Sequence, residues 1–170
     1  LSLQAMEGLF ESLLDLSRLE AGRVQANMTL TSLSEVLQWL SNEFGPPARD
    51  KGLRFRVRPS QEWGYVDPTL LRRILLNLTS NAIRYTEKGG ILIGVRKRGE
   101  VIRLEVWDTG RGIDPDDQVA IFDEFVQVDG PGSDKTRGLG LGLAIAQKSA
   151  RLIGTRVNVT SKKGHGSVFS

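Results

Sequence analysis

Residues 67 to 85 impose the tightest constraint on the fold. Asp67 followed by Pro68 is a helix start, with the carboxylate as N-cap and the proline at the first helical position, where its missing N–H costs nothing. Leu71, Ile74, Leu75, Leu78 and Ala82 then recur at helical spacing, which predicts a helix to about Tyr85 with that stripe on a core. Asn77, Asn81 and Arg84 fall on the neighbouring stripe, at the core's edge. Asparagine is a poor helix-interior residue because its amide competes for backbone hydrogen bonds, so two of them four residues apart do not serve the helix itself. They face one ligand, face each other, or satisfy nearby backbone.

Around this helix the periodicity alternates between 3.6 and 2. Leu3, Met6, Leu9, Phe10, Leu13, Leu14, Leu16 and Leu19 give a first helix with a broad apolar face, stopped at Gly22. That breadth suits either a bundle or dimer partner, or folding back on the chain's own domain. Thr29–Thr31 reads as a short strand. Ser34–Phe44 reads as a helix closed by Gly45 and Pro46. Leu53–Val57 alternates as a half-buried strand, and Ile91–Arg98 with Val101–Trp107 reads as a hairpin turned at Gly99. Pro115–Phe125 is a short helix at most, and 126–137 is a polar loop long enough to be a lid. A last helix is expected over Leu139–Ile153, with Leu141, Ile145, Ser149 and Leu152 on one side and Gly154 as its stop. Arg156–Thr160 and Gly166–Phe169 are closing strands. No regular β-α-β alternation is present, so the expected class is α+β, a two-layer sandwich with helices on one sheet face.

Composition excludes several chemistries. The chain has no cysteine and one histidine, His165, so a zinc cluster and a histidine-based catalytic pair are both out of reach. No apolar run approaches the roughly 20 residues that span a bilayer, so no membrane contact is expected from this segment. The net charge is +3, and along the sequence the basic residues are scattered rather than gathered with aromatics, which argues against nucleic acid as a partner.

Two further constellations carry chemistry. Continuing the alternation of Ile102, Leu104 and Val106 places Asp108 on the buried face, followed by Thr109, Gly110, Arg111 and Gly112. A buried carboxylate needs donors, which an exocyclic amine of a ligand or the Asp-Thr-Gly backbone itself can supply. Gly138-Leu-Gly-Leu-Gly142 opens the last helix, where backbone N–H groups and the positive helix end suit phosphates, or where a glycine hinge binds nothing. The spacing is neither the Rossmann pattern nor a Walker P-loop.

In order and spacing these segments resemble the sensor histidine kinases of two-component systems. Asn77-Leu-Thr-Ser-Asn81-Ala-Ile-Arg-Tyr85-Thr86 resembles their N box, Asp108-Thr-Gly-Arg-Gly112 the G1 box and Phe122-Asp-Glu-Phe125 the F box. Gly138-Leu-Gly-Leu-Gly142-Leu-Ala-Ile resembles the G2 box, and Gly164-His-Gly166-Ser the final glycine turn. Leu14-Asp-Leu-Ser-Arg-Leu-Glu-Ala-Gly22 is similar to the end of the second helix of their dimerisation domain.

The resemblance implies a Bergerat-type ATP-binding fold over residues 26–170, preceded over 1–25 by the end of a dimerisation domain. It implies ATP and Mg2+ as cofactors, with Asp108 accepting from the adenine amine, Asn81 ligating magnesium and Asn77 supporting metal and phosphates. Tyr85 would lie against adenine or ribose, with Gly110 and Gly112 beside it. Gly138, Leu139, Gly140, Leu141 and Gly142 would bring the phosphate-binding backbone, with Lys135 and Arg137 as helpers from the lid. Arg84 stands where the family usually has lysine, a fork in place of a point charge. Hydrolysing branches of the fold carry glutamate where Asn77 stands, and an amide cannot be that base. The implied function is therefore the ATP-binding catalytic portion of a protein histidine kinase, donating the γ-phosphate to a histidine outside residues 1–170; the family's acceptor and its acidic neighbour are absent. A regulatory nucleotide-binding module or a serine kinase of the anti-sigma-factor type is the alternative. Implied partners are the protein's own dimerisation domain, as a homodimer, and a response regulator, in the cytoplasm.

Overall fold

The computed structural model describes residues 3–128 and 139–170, with backbone alone for residues 3–9 and 11. Helix α1 (Leu3–Glu20) leads to strand β1 (Thr29–Ser32), helix α2 (Leu33–Asp50) and strands β2 (Arg54–Val57) and β3 (Trp63–Val66). Helix α3 (Pro68–Tyr85) follows, then the hairpin β4 (Gly90–Arg98) and β5 (Val101–Asp108), helix α4 (Gly142–Leu152), and strands β6 (Val159–Lys162) and β7 (Gly166–Phe169). Five strands form one mixed sheet in the order β2-β4-β5-β7-β6, with β2 parallel to β4 and the other pairs antiparallel. β1 and β3 make a separate two-stranded ribbon. The molecule is α+β, as the mixed periodicity predicts.

The α3 stripe read from sequence is the core. Leu71, Ile74, Leu75, Leu78 and Ala82 are buried, against Val36, Leu40 and Phe44 of α2 and Ile91, Ile93 and Val106 of the sheet. Each such side chain contributes on the order of 1.5–3 kcal/mol relative to exposure. Asp67 caps the helix as expected. Its Oδ1 accepts from the N–H groups of Thr69 and Leu70 at 2.8 and 2.9 Å, and its Oδ2 accepts from Asn27 N–H at 2.7 Å. One carboxylate thus starts α3 and pins the segment that leads out of α1. At the other end, Lys51 Nζ donates to the carbonyls of Ile83 and Arg84, two of the acceptors the helix leaves open.

Several boundaries differ from the sequence reading. Helix α2 runs past Gly45 to Asp50 with Pro46 and Pro47 inside it. Each proline removes a backbone N–H bond, but Phe44 and Ala48 are buried in line with Leu33, Val36, Leu37 and Leu40, and that face carries the last turn. Strand β3 carries no sequence prediction. It is too short, and too broken by Gly64, to declare itself without its partner β1. Pro115–Phe125 forms two single 3-10 turns, Pro115–Asp117 and Ala120–Phe122. Helix α4 begins at Gly142 rather than Leu139, Leu152 is exposed, and the strand expected over Arg156–Thr160 is shifted to Val159–Lys162.

Among its described side chains, α1 packs on the domain through its last turns. Leu16 and Leu19 are buried against Leu141 and Ile145, flanked by Val24 and Leu139. Asp15 pairs with Arg73 of α3 at 3.1 Å. Phe10, Leu13 and Leu14 stay exposed. The part of the broad apolar face at the end of α1 thus folds back on the chain's own domain.

Burial pushes the Asp67 pKa up, but the N–H bonds from Leu70, Asn27 and Thr69, with Arg73 nearby, outweigh it and hold the carboxyl below the usual range. Asp67→Ala is expected to cost about 1–2 kcal/mol in chemical denaturation at neutral pH. A lowered folded-state pKa gives stability that is present above the ordinary carboxylate value and lost as pH falls through the lowered one, so the gap between the two proteins should narrow in acid.

Candidate functional site

Helix α3 carries both asparagines toward the start of α4. A Cβ placed on Gly142, the first residue of α4, would lie 3.0 Å from Asn77 Oδ1 and 3.8 Å from Asn81 Nδ2. The N-terminus of α4 thus abuts both amides, and no side chain larger than hydrogen fits without moving Asn77. Asn77 Nδ2 donates to the Arg73 carbonyl one turn back at 2.8 Å, so the backbone alternative accounts for half of this side chain. Its carbonyl oxygen is the half that faces α4.

The far end of α3 meets the end of β5. A Cβ on Gly110 would lie 2.5 Å from the Tyr85 carbonyl oxygen and 2.9 Å from Asp108 Oδ1, so a glycine is needed for the two elements to close up. Gly112, at φ +69°, passes against the Lys162 carbonyl. Asp108 is half-buried and Oδ1 accepts from Gly110 N–H at 2.8 Å, the local turn expected of Asp-Thr-Gly. Burial pushes its pKa up, and the backbone N–H groups of Gly110 and Ser167 only partly offset this. No cation pairs with Asp108 among the described residues. A carboxylate held off its own solvent and given no cation is a standing acceptor for a ligand donor.

The glycine run reaches the site from a strained corner. Gly140 has φ +70° and packs on the Val126 carbonyl, and its own carbonyl accepts from Phe125 N–H at 3.2 Å. Phe125 itself has φ +63°, a left-handed conformation uncommon for a side chain of this size. Leu139 and Leu141 spend their side chains on the cluster with Leu16 and Leu19, leaving backbone N–H groups for a ligand. Gly138, Lys135 and Arg137 lie outside the described residues. Arg84 is exposed at the last turn of α3.

Two contacts were not legible in the sequence. Arg111, between the glycines of its motif, lies over the Tyr85 ring at 4.8 Å and donates to the Val128 carbonyl at 2.7 Å. One face of the ring expected against adenine or ribose therefore carries a guanidinium. Its place inside the Gly-Arg-Gly motif was the available signal. Lys148 of α4 bridges Glu20 of α1 at 3.0 Å and Glu124 at 2.8 Å, joining three segments remote in sequence. Glu124 and Glu20 hold the Lys148 pKa up, and Lys148 holds that of Glu124 down. A separate recess of about 460 Å³ lies between the β1–β3 ribbon and the first turns of α2 and α3, and holds none of the motif residues.

A magnesium ion fits the donor set. Amide oxygen is a hard ligand, and Mg2+ is usually completed by phosphate and water rather than by an all-protein cage. Among the described residues no cluster of three or more carboxylate, histidine or cysteine ligands exists to offer such a cage.

Because folded Asp108 has a raised pKa, its favourable contribution is complete below the ordinary carboxylate value and lost as pH rises through the raised one. Asp108→Asn is therefore expected to melt at or above the wild-type temperature at neutral pH without ligand. Scanning calorimetry at neutral and acid pH would check this; a large loss at neutral pH would make the carboxylate a structural group.

Residues 66–170 match the family described as histidine kinase-, DNA gyrase B-, and HSP90-like ATPase. Over 167 residues the chain is 35% identical to the aerobic respiration control sensor protein ArcB of Escherichia coli, covering 95% of this chain and 22% of that protein. It is 34% identical to the circadian input-output histidine kinase CikA of Synechococcus elongatus, with 95% and 22% covered. The chain thus spans about a fifth of the length of these relatives. Among solved structures, full-length ShkA in complex with AMPPNP superposes with a TM-score of 0.82 at 30% identity, over 95% of this chain and 34% of that one. The catalytic domain of histidine kinase ThkA, nucleotide free, gives 0.70 at 26% identity, over 84% and 92%.

Proposed function

The chain belongs to the histidine kinase-, DNA gyrase B- and HSP90-like ATPase family, and on that premise we propose that residues 26–170 hold Mg-ATP as the catalytic portion of a two-component histidine kinase. Residues 1–25 are the end of its dimerisation helix in this reading. The observation that carries it is the seating of Gly142 against Asn77 and Asn81, which brings the positive end of α4 onto the Asn77 amide oxygen and beside the Asn81 amide at a helix edge. Phosphates there take backbone N–H groups from the Gly140–Gly142 turn, and Asn81 offers its amide to magnesium with Asn77 in support. Magnesium neutralises phosphate charge when bound. Asp108 accepts from the adenine amine beside the N–H bonds it takes from Gly110 and Ser167, and Tyr85 presents the ring face that Arg111 does not cover.

This pocket donates phosphate rather than hydrolysing. Asn77 is an amide, cannot deprotonate water, and already donates to the Arg73 carbonyl. The acceptor is a histidine on another segment or chain. His165, the only histidine, is exposed in the turn between β6 and β7, its Nδ1 3.2 Å from the Lys163 carbonyl oxygen. The exposed Phe10, Leu13 and Leu14 support a helical partner for α1, such as a second copy in the homodimer. A response regulator would take the phosphoryl group onward. Among the described residues no helix is long and apolar enough to cross a membrane.

A non-hydrolysable ATP analogue with magnesium is expected to raise the melting temperature, because ligand binds only the folded state. No shift at saturating analogue would remove the assignment. Asp108→Ala is expected to stay folded and lose the discrimination of ATP from GTP in calorimetric titration; retained discrimination would disprove the adenine contact.

A further inference from the structure

The sheet face turned away from the helices is basic, and the nucleotide site does not use it. Phe55, Val57, Ile93, Leu104 and Val106 pack toward the core, so their neighbours in sequence point the other way. There β2 presents Arg54 and Arg56, with Arg58 just beyond its end packed along Gly94. β4 presents Arg96 and Arg98, and β5 presents Arg103 directly opposite Arg96. All six are exposed. Arg96 and Arg103 stem from backbone positions about 5 Å apart across strands, and successive arginines on β2 and on β4 from positions about 7 Å apart along the strand.

One carboxylate stands on the strands of this face, and it is already spent. Glu105 is buried, with Oε2 2.9 Å from both Arg96 Nε and Trp107 Nε1, and Arg96 also lies over the Trp107 ring at 5.8 Å. Arg96 is thereby held in place from below. Arg54, Arg56, Arg58, Arg98 and Arg103 have no ion pair among the described residues. Like charges set side by side on a sheet repel. A partner of opposite charge relieves that cost.

We propose that this face is a docking surface for an acidic segment of a partner protein. The cations named are all arginine, whose planar fork matches carboxylates two bonds at a time and loses little freedom in doing so. Single-stranded nucleic acid needs aromatic platforms, and the one tryptophan here carries the Arg96 guanidinium over one ring face and has its N–H engaged by Glu105. A membrane surface needs apolar groups that enter the headgroup layer, and Leu92 and Val168, which flank Trp107 on the two neighbouring strands, are partly buried, while Trp107 is tied to Glu105 and Arg96. The inference is independent of the nucleotide reading.

The test is fluorescence anisotropy with labelled poly-glutamate, beside an oligothymidylate of equal charge and vesicles of phosphatidylglycerol in phosphatidylcholine. Poly-glutamate is expected to bind best, more weakly as salt rises. Arg56→Glu with Arg103→Glu should weaken it more than about tenfold. Arg56→Lys with Arg103→Lys should weaken it severalfold, because charge remains and the fork is gone. Arg54→Glu with Arg98→Glu is a second, independent pair. These side chains are exposed, so the melting temperature and its rise with ATP analogue are expected to stay as in wild type. No poly-glutamate binding at low salt, full binding by the reversed or lysine variants, or tighter binding of oligothymidylate or vesicles would overturn the proposal.

Discussion

The carboxylate of Asp67 is the contact on which the rest depends. It accepts three backbone N–H groups, two at the start of α3 and one from Asn27, and so fixes both where the helix begins and where the chain arriving from α1 must pass. A helix docked one residue out of register would be rotated by about 100° and turn its core stripe away from the sheet. Asn77 and Asn81 would then leave the edge of the core. The register of the pocket is therefore set three turns before it, by an electrostatic cap.

The site itself is made largely by what is missing. Gly110 lets Asp108 and the end of α3 close together, and Gly142 lets α4 reach Asn77. Each leaves out a side chain for which its neighbours make no room. Asp108 is kept there against its own solvation, which raises its pKa and gives up stability at neutral pH. A group that disfavours the empty fold and has no cation partner is more readily understood through a ligand than through packing.

Helix α1 is joined to this site rather than merely placed beside it. Leu141, which follows the strained Gly140, is buried with Leu16 and Leu19, and Lys148 ties α4 to Glu20 and to Glu124. The glycine turn and the end of α1 are thus linked by apolar contact and ion pairs on the same side of α4.

Elements whose signal is local were legible. The span of α3, its cap, its apolar stripe and the β4–β5 hairpin follow from periodicity and turn chemistry, because helix and strand spacing act over a few residues. The places of Asn77 and Asn81 inside α3 and of Asp108 at the end of β5 were legible too, and they draw notice because they contradict local preference. The far end of α2 was misread because burial of Phe44 and Ala48 outweighs two prolines, and β3 was missed because a strand of four residues exists only against β1. The sequence by itself determined which residue types line the candidate site, since their chemistry and order are carried by the chain. Only the tertiary structure decided that Gly142 touches Asn77, that Arg111 covers Tyr85, and that arginines scattered along the chain share one sheet face. Those juxtapositions depend on strand order and helix docking, which no local period encodes.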